Sequence, residues 1–159
     1  GSLTGITTGK VLNIVSERRQ GYNMQSTSTS FVDIDNSDGS VWETSITPSA
    51  TSSKVLIMVQ LAFYVNSNST EARGTWKLFQ KIGSGNYSQV TQYGNQMGTY
   101  NYDGSGVAMG STDTAISLIT TNTTDAVTFK FQFASNGSNQ CRWNDDGSDS
   151  NCTLMEIGA

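Results

Sequence analysis

Apolar and polar residues alternate along this chain with a period of two. The clearest run is Lys54 to Asn66, KVLIMVQLAFYVN. Val55, Ile57, Val59, Leu61, Phe63 and Val65 fall on one face, and Leu56, Met58, Gln60, Ala62 and Tyr64 on the other. Apolar residues at successive spacings of two fit an extended strand and no helix. The second face is also largely apolar, which predicts cover on both sides. The partner sheet covers one side; a neighbouring subunit, or loops of the same chain, covers the other. Val127 to Ala134 is cleaner, with Val127, Phe129, Phe131 and Phe133 on one face and Thr128, Lys130, Gln132 and Ala134 on the other. It reads as an antiparallel strand with one wet face.

The same pattern predicts strands over Lys10 to Ser16, Thr29 to Ile34, Val41 to Ile46, Thr75 to Lys81, Tyr87 to Tyr93, Ala115 to Thr120 and Asn151 to Ile157, with a shorter one around Cys141 to Trp143. The breaks carry turn chemistry. Asn36-Ser37-Asp38-Gly39 supplies an Asp-Gly pair, and Ile82-Gly83-Ser84-Gly85 reads as a hairpin turn. Pro48 has no N–H for a ladder and marks a strand end. Gly94 to Gly110 is the least strand-like stretch and reads as a long exposed loop. About eight to ten short strands with regular turns and no long helix predict an all-β fold, an antiparallel sandwich or barrel. One domain spans 1–159, with 1–8 as an N-terminal extension or linker.

Composition narrows the surface. Ser, Thr and Asn number 22, 20 and 13 of 159 residues, and only 14% of residues are charged, against ~25% in an average domain. The surface is therefore wetted by hydroxyls and amides. A net charge of −4 argues against nucleic acid, whose phosphates need clustered Lys and Arg. No apolar stretch reaches the ~18 residues of a membrane helix, so membrane insertion is not expected. His is absent, which removes the Ser-His-Asp triad, Cys-His pairs and His-ligated zinc. The four glutamates, Glu17, Glu43, Glu71 and Glu156, form no suggestive pair for glycan cleavage. No enzyme activity is expected.

Several ordered segments carry a resemblance. They are Gly9-Lys10-Val11-Leu12-Asn13-Ile14-Val15-Ser16, Ser28-Thr29-Ser30-Phe31-Val32-Asp33-Ile34, the run from Ser45 through Pro48 to Val59, and the ending Thr153-Leu154-Met155-Glu156-Ile157-Gly158-Ala159. Together they resemble the Ser/Thr-rich β domains of marine and cyanobacterial phage virion proteins, of the tail-fibre kind. The resemblance implies a jelly-roll-like sandwich, assembled as a homotrimer on the virion surface, that binds a host-surface receptor, with glycan as the expected ligand. The alternative is a capsid decoration protein that stabilises the head; a polysaccharide-degrading enzyme is a further rival.

Candidate sites follow from residue type. Cys141 and Cys152 flank a turn-rich segment, and two strands joined by that turn would bring the sulfurs into a disulfide; the alternative is two buried free thiols. Asp145, Asp146 and Asp149 form an oxygen-rich cluster, the candidate for calcium, although their spacing is not that of an EF-hand and plain turns share this composition. No other cofactor is expected. Tyr87, Tyr93, Tyr100 and Tyr102 lie in or near the glycine-rich stretch and are candidate receptor contacts, because aromatic faces stack on sugar rings. Leu56, Met58, Ala62 and Tyr64 are candidates for the subunit interface. Trp42, Trp76 and Trp143 are read as core.

Overall fold

The computed structural model describes residues 9–20, 24–66, 74–97, 108–135, 140–144 and 148–158. Among these, every regular element is a strand. They are β1 (Lys10–Gln20), β2 (Met24–Ser26), β3 (Val32–Asp33), β4 (Glu43–Ile46), β5 (Lys54–Asn66), β6 (Gly74–Ile82), β7 (Ser88–Met97), β8 (Ala108–Thr120), β9 (Val127–Ser135), β10 (Gln140–Trp143) and β11 (Asp149–Gly158). They form two antiparallel sheets, and the expected all-β sandwich is the observed fold.

The short strands join into longer rows. β8 occupies one edge of β5 from Lys54 to Asn66. β11 and β10 therefore share the other edge end to end, β11 against Gln60 to Lys54 and β10 against Asn66 to Phe63. β1 and β2 continue one another along the far side of β11 and β10. The first sheet is thus four rows: β1 with β2, β11 with β10, β5, β8. In the second sheet β6 lines one edge of β9, and β3 and β4 share the other. Its rows are β3 with β4, β9, β6, β7. In chain order the first row pairs with the eighth, the second with the seventh, the third with the sixth and the fourth with the fifth. Each pairing is antiparallel, so the chain is one long hairpin folded over on itself.

The core follows from the alternation. On β5, Val55, Ile57, Val59, Leu61, Phe63 and Val65 are all buried, as are Val127, Phe129, Phe131 and Phe133 on β9. The three tryptophans are fully buried between the sheets. Trp42 stacks on Trp143 with ring centroids 5.2 Å apart and tilts against Phe131 at 4.9 Å, so rings from both sheets meet in one cluster. The Ile82–Gly85 turn joins β6 to β7 as expected, with Gly83 at φ 54.

Two expectations are corrected, and one strand was not foreseen. The row of β10 and β11 is not a hairpin: the chain leaves β5 at Asn144 and rejoins the same edge at Ser150, where Asn144 N–H donates to Ala62 O and the Ser150 hydroxyl accepts from Ala62 N–H. The stretch from Gly94 to Gly110 is not loop throughout. β7 runs to Met97 and β8 begins at Ala108, because ladder bonds are made by main chain, which Gly and Thr supply as well as Val does. Residues 98–107, with Tyr100 and Tyr102, lie outside the described residues. β2 carries no apolar alternation, and its sequence did not announce it.

Candidate functional site

The two outer faces of the sandwich differ in chemistry. The outer face of the second sheet is closed by charge. Glu43 accepts from the Tyr87 hydroxyl at 2.5 Å and pairs with Lys81 at 3.2 Å, while Asp33 pairs with Lys130 at 2.7 Å and accepts from Gln132. The ammonium groups of Lys81 and Lys130 stand 4.7 and 4.6 Å from the Tyr87 ring centre. Burial, then the hydrogen bond to Glu43 and its negative charge, push the Tyr87 phenol well above its usual range. Tyr87, an expected receptor contact, has its hydroxyl and ring engaged within the chain. The Tyr93 side chain is not among those described.

The outer face of the first sheet divides in two. Cross-strand pairing lines up Ile14, Met155, Leu56 and Leu118 in one row across all four rows of backbone. The next row is Ser16, Thr153, Met58 and Ile116. Ile14 is 56% exposed, Ile116 66% and Leu118 56%, and Val11 and Leu12 are exposed on the same strand as Ile14. This half is an open apolar surface. The interface candidates Leu56 and Met58 sit in it. Ala62 and Tyr64 do not: they belong to the polar half, where Ala62 is almost covered and the Arg142 guanidinium lies 5.3 Å from the Tyr64 ring centre.

The polar half surrounds a depression of about 420 Å³ lined by Gln60, Ala62, Gly110, Thr112, Ser148 and Asp149, with Phe63 and Ser111 at its walls. It exists because Ala62 and Gly110 are small where their neighbours Gln60, Tyr64 and Thr112 are larger. Asp149 is held by Arg18, whose Nε and terminal nitrogen both donate to Oδ2. Of the calcium candidates, Asp149 is paired with Arg18, and Asp145 and Asp146 lie outside the described residues.

Beneath the depression lies a buried polar knot. The Ser150 hydroxyl accepts from Trp143 Nε1–H at 2.8 Å and from Ala62 N–H at 2.9 Å, and donates to Asn144 Oδ1 at 2.6 Å. Asn144 Nδ2–H then donates to the Arg19 carbonyl at 2.9 Å. Asn144 adopts φ 54, which Asn tolerates better than most residues. The knot ties the first, eighth and third rows together where two of them are interrupted.

The cysteines are free and buried. Cys141 pairs with Val65 and Cys152 with Val59, six positions apart on one edge of β5. At ~3.3 Å per residue that is ~20 Å, far beyond the reach of a disulfide. The expected bridge fails because β10 and β11 follow one another along the same edge of β5 instead of pairing with each other. Burial pushes both thiols up to about 12.

Sequence reasoning missed Ile14, Ile116, Leu118 and Met155 as surface residues. In Ala115 to Thr120, Ala115, Ser117 and Ile119 point inward while Ile116 and Leu118 point outward, and a period of two does not say which face is which. Gln60 and Thr112 carried no signal in so hydroxyl-rich a chain, and Asp149 stood out only as a member of an acidic cluster.

No helix among the described residues is long and apolar enough to cross a membrane. No family model and no curated protein matches the chain. Among solved structures, it is similar to a chain in the structure of the infectious bursal disease virus Gx strain, with a TM-score of 0.41 and 12% identity over 94% of this chain. The chain spans about a third of that neighbour, 33% of its length.

Proposed function

We propose that this chain is a virion surface domain of the tail-fibre-distal kind, which assembles as a homotrimer and attaches to a host-surface glycan. The observation that carries this reading is the division of the outer surface. One outer face is closed by its own ion pairs, and the other presents an unbroken apolar stripe beside a hydroxyl- and amide-lined depression. Exposed apolar area of this extent marks an interaction surface. The stripe is built on rigid strands, and its occupant in this reading is a second copy of the chain. Weak glycan sites on three joined copies then act together through effective concentration.

Two further features support the reading. The nested row order, first with eighth through fourth with fifth, supports a jelly-roll-like reading of the sandwich, an architecture shared by viral capsid and lectin domains. The described carboxylates that face partners are each engaged: Glu17 by Arg19, Glu43 by Lys81 and Tyr87, Asp33 by Lys130, Asp149 by Arg18, Glu156 by Ser49 and Ser53. Such an arrangement favours holding over bond cleavage, which calls for two carboxyl groups at a set separation.

The second reading, a capsid decoration protein, draws on the same apolar stripe, with a capsid shell as its occupant. Fluorescently labelled protein incubated with intact cyanobacterial cells separates the two. Saturable binding that free cell-surface polysaccharide competes away is the expected result. Absence of cell binding, together with stable association with emptied phage heads, overturns the attachment reading in favour of decoration.

A further inference from the structure

We propose that the depression over Ala62 and Gly110 is a binding site for a neutral saccharide, an inference that rests on the attachment reading and gives that reading its site. Its volume of about 420 Å³ falls within the ~300–1,000 Å³ of small-ligand pockets. Its chemistry is that of hydroxyl recognition. Gln60 spends its Oε1 on Asn151, leaving Nε2 as a donor without a partner among the described residues. Thr112 and Ser148 add exposed hydroxyls that both donate and accept. Ser111 Oγ and Asp149 Oδ1, behind the lining, are two of six buried side-chain polar atoms without a hydrogen-bond partner among the described residues, so the recognition falls to Gln60, Thr112 and Ser148.

Charge decides the class of ligand. Among the described residues, the one carboxylate in the lining is neutralised by Arg18, and no cationic side chain lines the depression. An anionic sugar or a phosphate would find no free cation among the described lining residues, since Arg18 is already engaged with Asp149. A neutral ring with several hydroxyls meets matched donors and acceptors instead. The floor is made of small residues on two adjacent strands, so the ring approaches the sheet closely, and the Tyr64 side chain stands beside Gly110 across the β5–β8 ladder.

The test is an amide-resolved NMR titration of the full chain with methyl hexosides and neutral disaccharides, alongside their uronic acid counterparts. The expected result is saturable shifts at Gln60, Ala62, Gly110 and Thr112, with a dissociation constant of roughly millimolar order, since a shallow site recovers little beyond the cost of association. Gly110→Val fills the depression; a Cβ at Gly110 finds only the Phe63 carbonyl, at 3.8 Å, so the strand accepts it. This variant loses binding by more than about tenfold, and Thr112→Val weakens it about threefold to tenfold with melting unchanged. Shifts centred elsewhere, preference for the uronic acids, no response to any neutral sugar, or binding indifferent to Gly110→Val each overturn the site. If wild type and Gly110→Val bind whole cells equally, the site is wrong and attachment stands. If neither binds cells, attachment itself has failed.

Discussion

Ser150 is a small side chain with three assignments: it accepts from Trp143 and Ala62 and donates to Asn144. Removing it leaves two buried donors unpaired, and each such group costs about 1–3 kcal/mol. Ser150→Ala is therefore expected to destabilise the fold by about 2–4 kcal/mol, read from urea unfolding, whereas Asn151→Ala, on the exposed side of the same strand, shifts it by less than about 0.5 kcal/mol. Glu156 plays a comparable part at the opposite end of β11. It is buried, and its Oε1 accepts from Ser49 N–H at 2.7 Å, Ser49 Oγ at 2.6 Å and Ser53 Oγ at 2.7 Å, pinning the turn after β4. Burial alone would raise its carboxyl; the three hydrogen bonds outweigh burial and hold it below its usual value. The folded-state value is thus lower than the unfolded one. The resulting stability is complete above pH ~4.5 and drains away as pH falls through the folded value. Urea midpoints followed from pH 7 to pH 3 are expected to fall more steeply for wild type than for Glu156→Gln, and equal slopes would contradict this role.

Elements explain what could be read from sequence and what could not. β5 and β9 were legible because their inward residues are large and apolar at every second position, and burial leaves such a pattern one register. The turns at Asn36–Gly39 and Ile82–Gly85 were legible because each needs a positive φ that Gly supplies, at Gly39 and Gly83. The tandem rows were not legible. Residues 141–152 contain the same turn chemistry as a hairpin, and only the pairing of both flanks with one edge of β5 shows that β10 and β11 do not pair with each other. The disulfide expectation failed with the hairpin on which it rested. A consequence follows at this scale: thermal melting is expected to be the same with and without a reducing agent, and the two thiols are expected to react with an alkylating reagent only in denaturant. A melting point that drops on reduction would contradict the row assignment. The depression was illegible for another reason. It is a gap made by two small residues on different strands, and no linear pattern records a gap.

At the scale of the whole molecule, two sheets of similar size treat solvent differently. The second sheet spends its outward Lys, Asp, Glu and Tyr residues on one another, while the first leaves Ile14, Leu56, Met58, Ile116, Leu118 and Met155 in a continuous stripe. A chain with so many Ser and Thr residues had cheap polar choices at those positions, as the neighbouring Thr112, Thr114 and Thr120 illustrate. The aliphatic residues at 116 and 118 are edge-strand positions, where exposed apolar side chains invite pairing with another chain. Covering the stripe by a second and third copy removes that liability and leaves the polar half at the rim. The most direct test is sedimentation equilibrium of wild type and of the Ile116→Lys/Leu118→Lys double variant at micromolar concentration. The account predicts a wild-type species of three chain masses and a folded variant of one chain mass. A wild-type protein that sediments as a single chain, or a variant that still assembles, would contradict it.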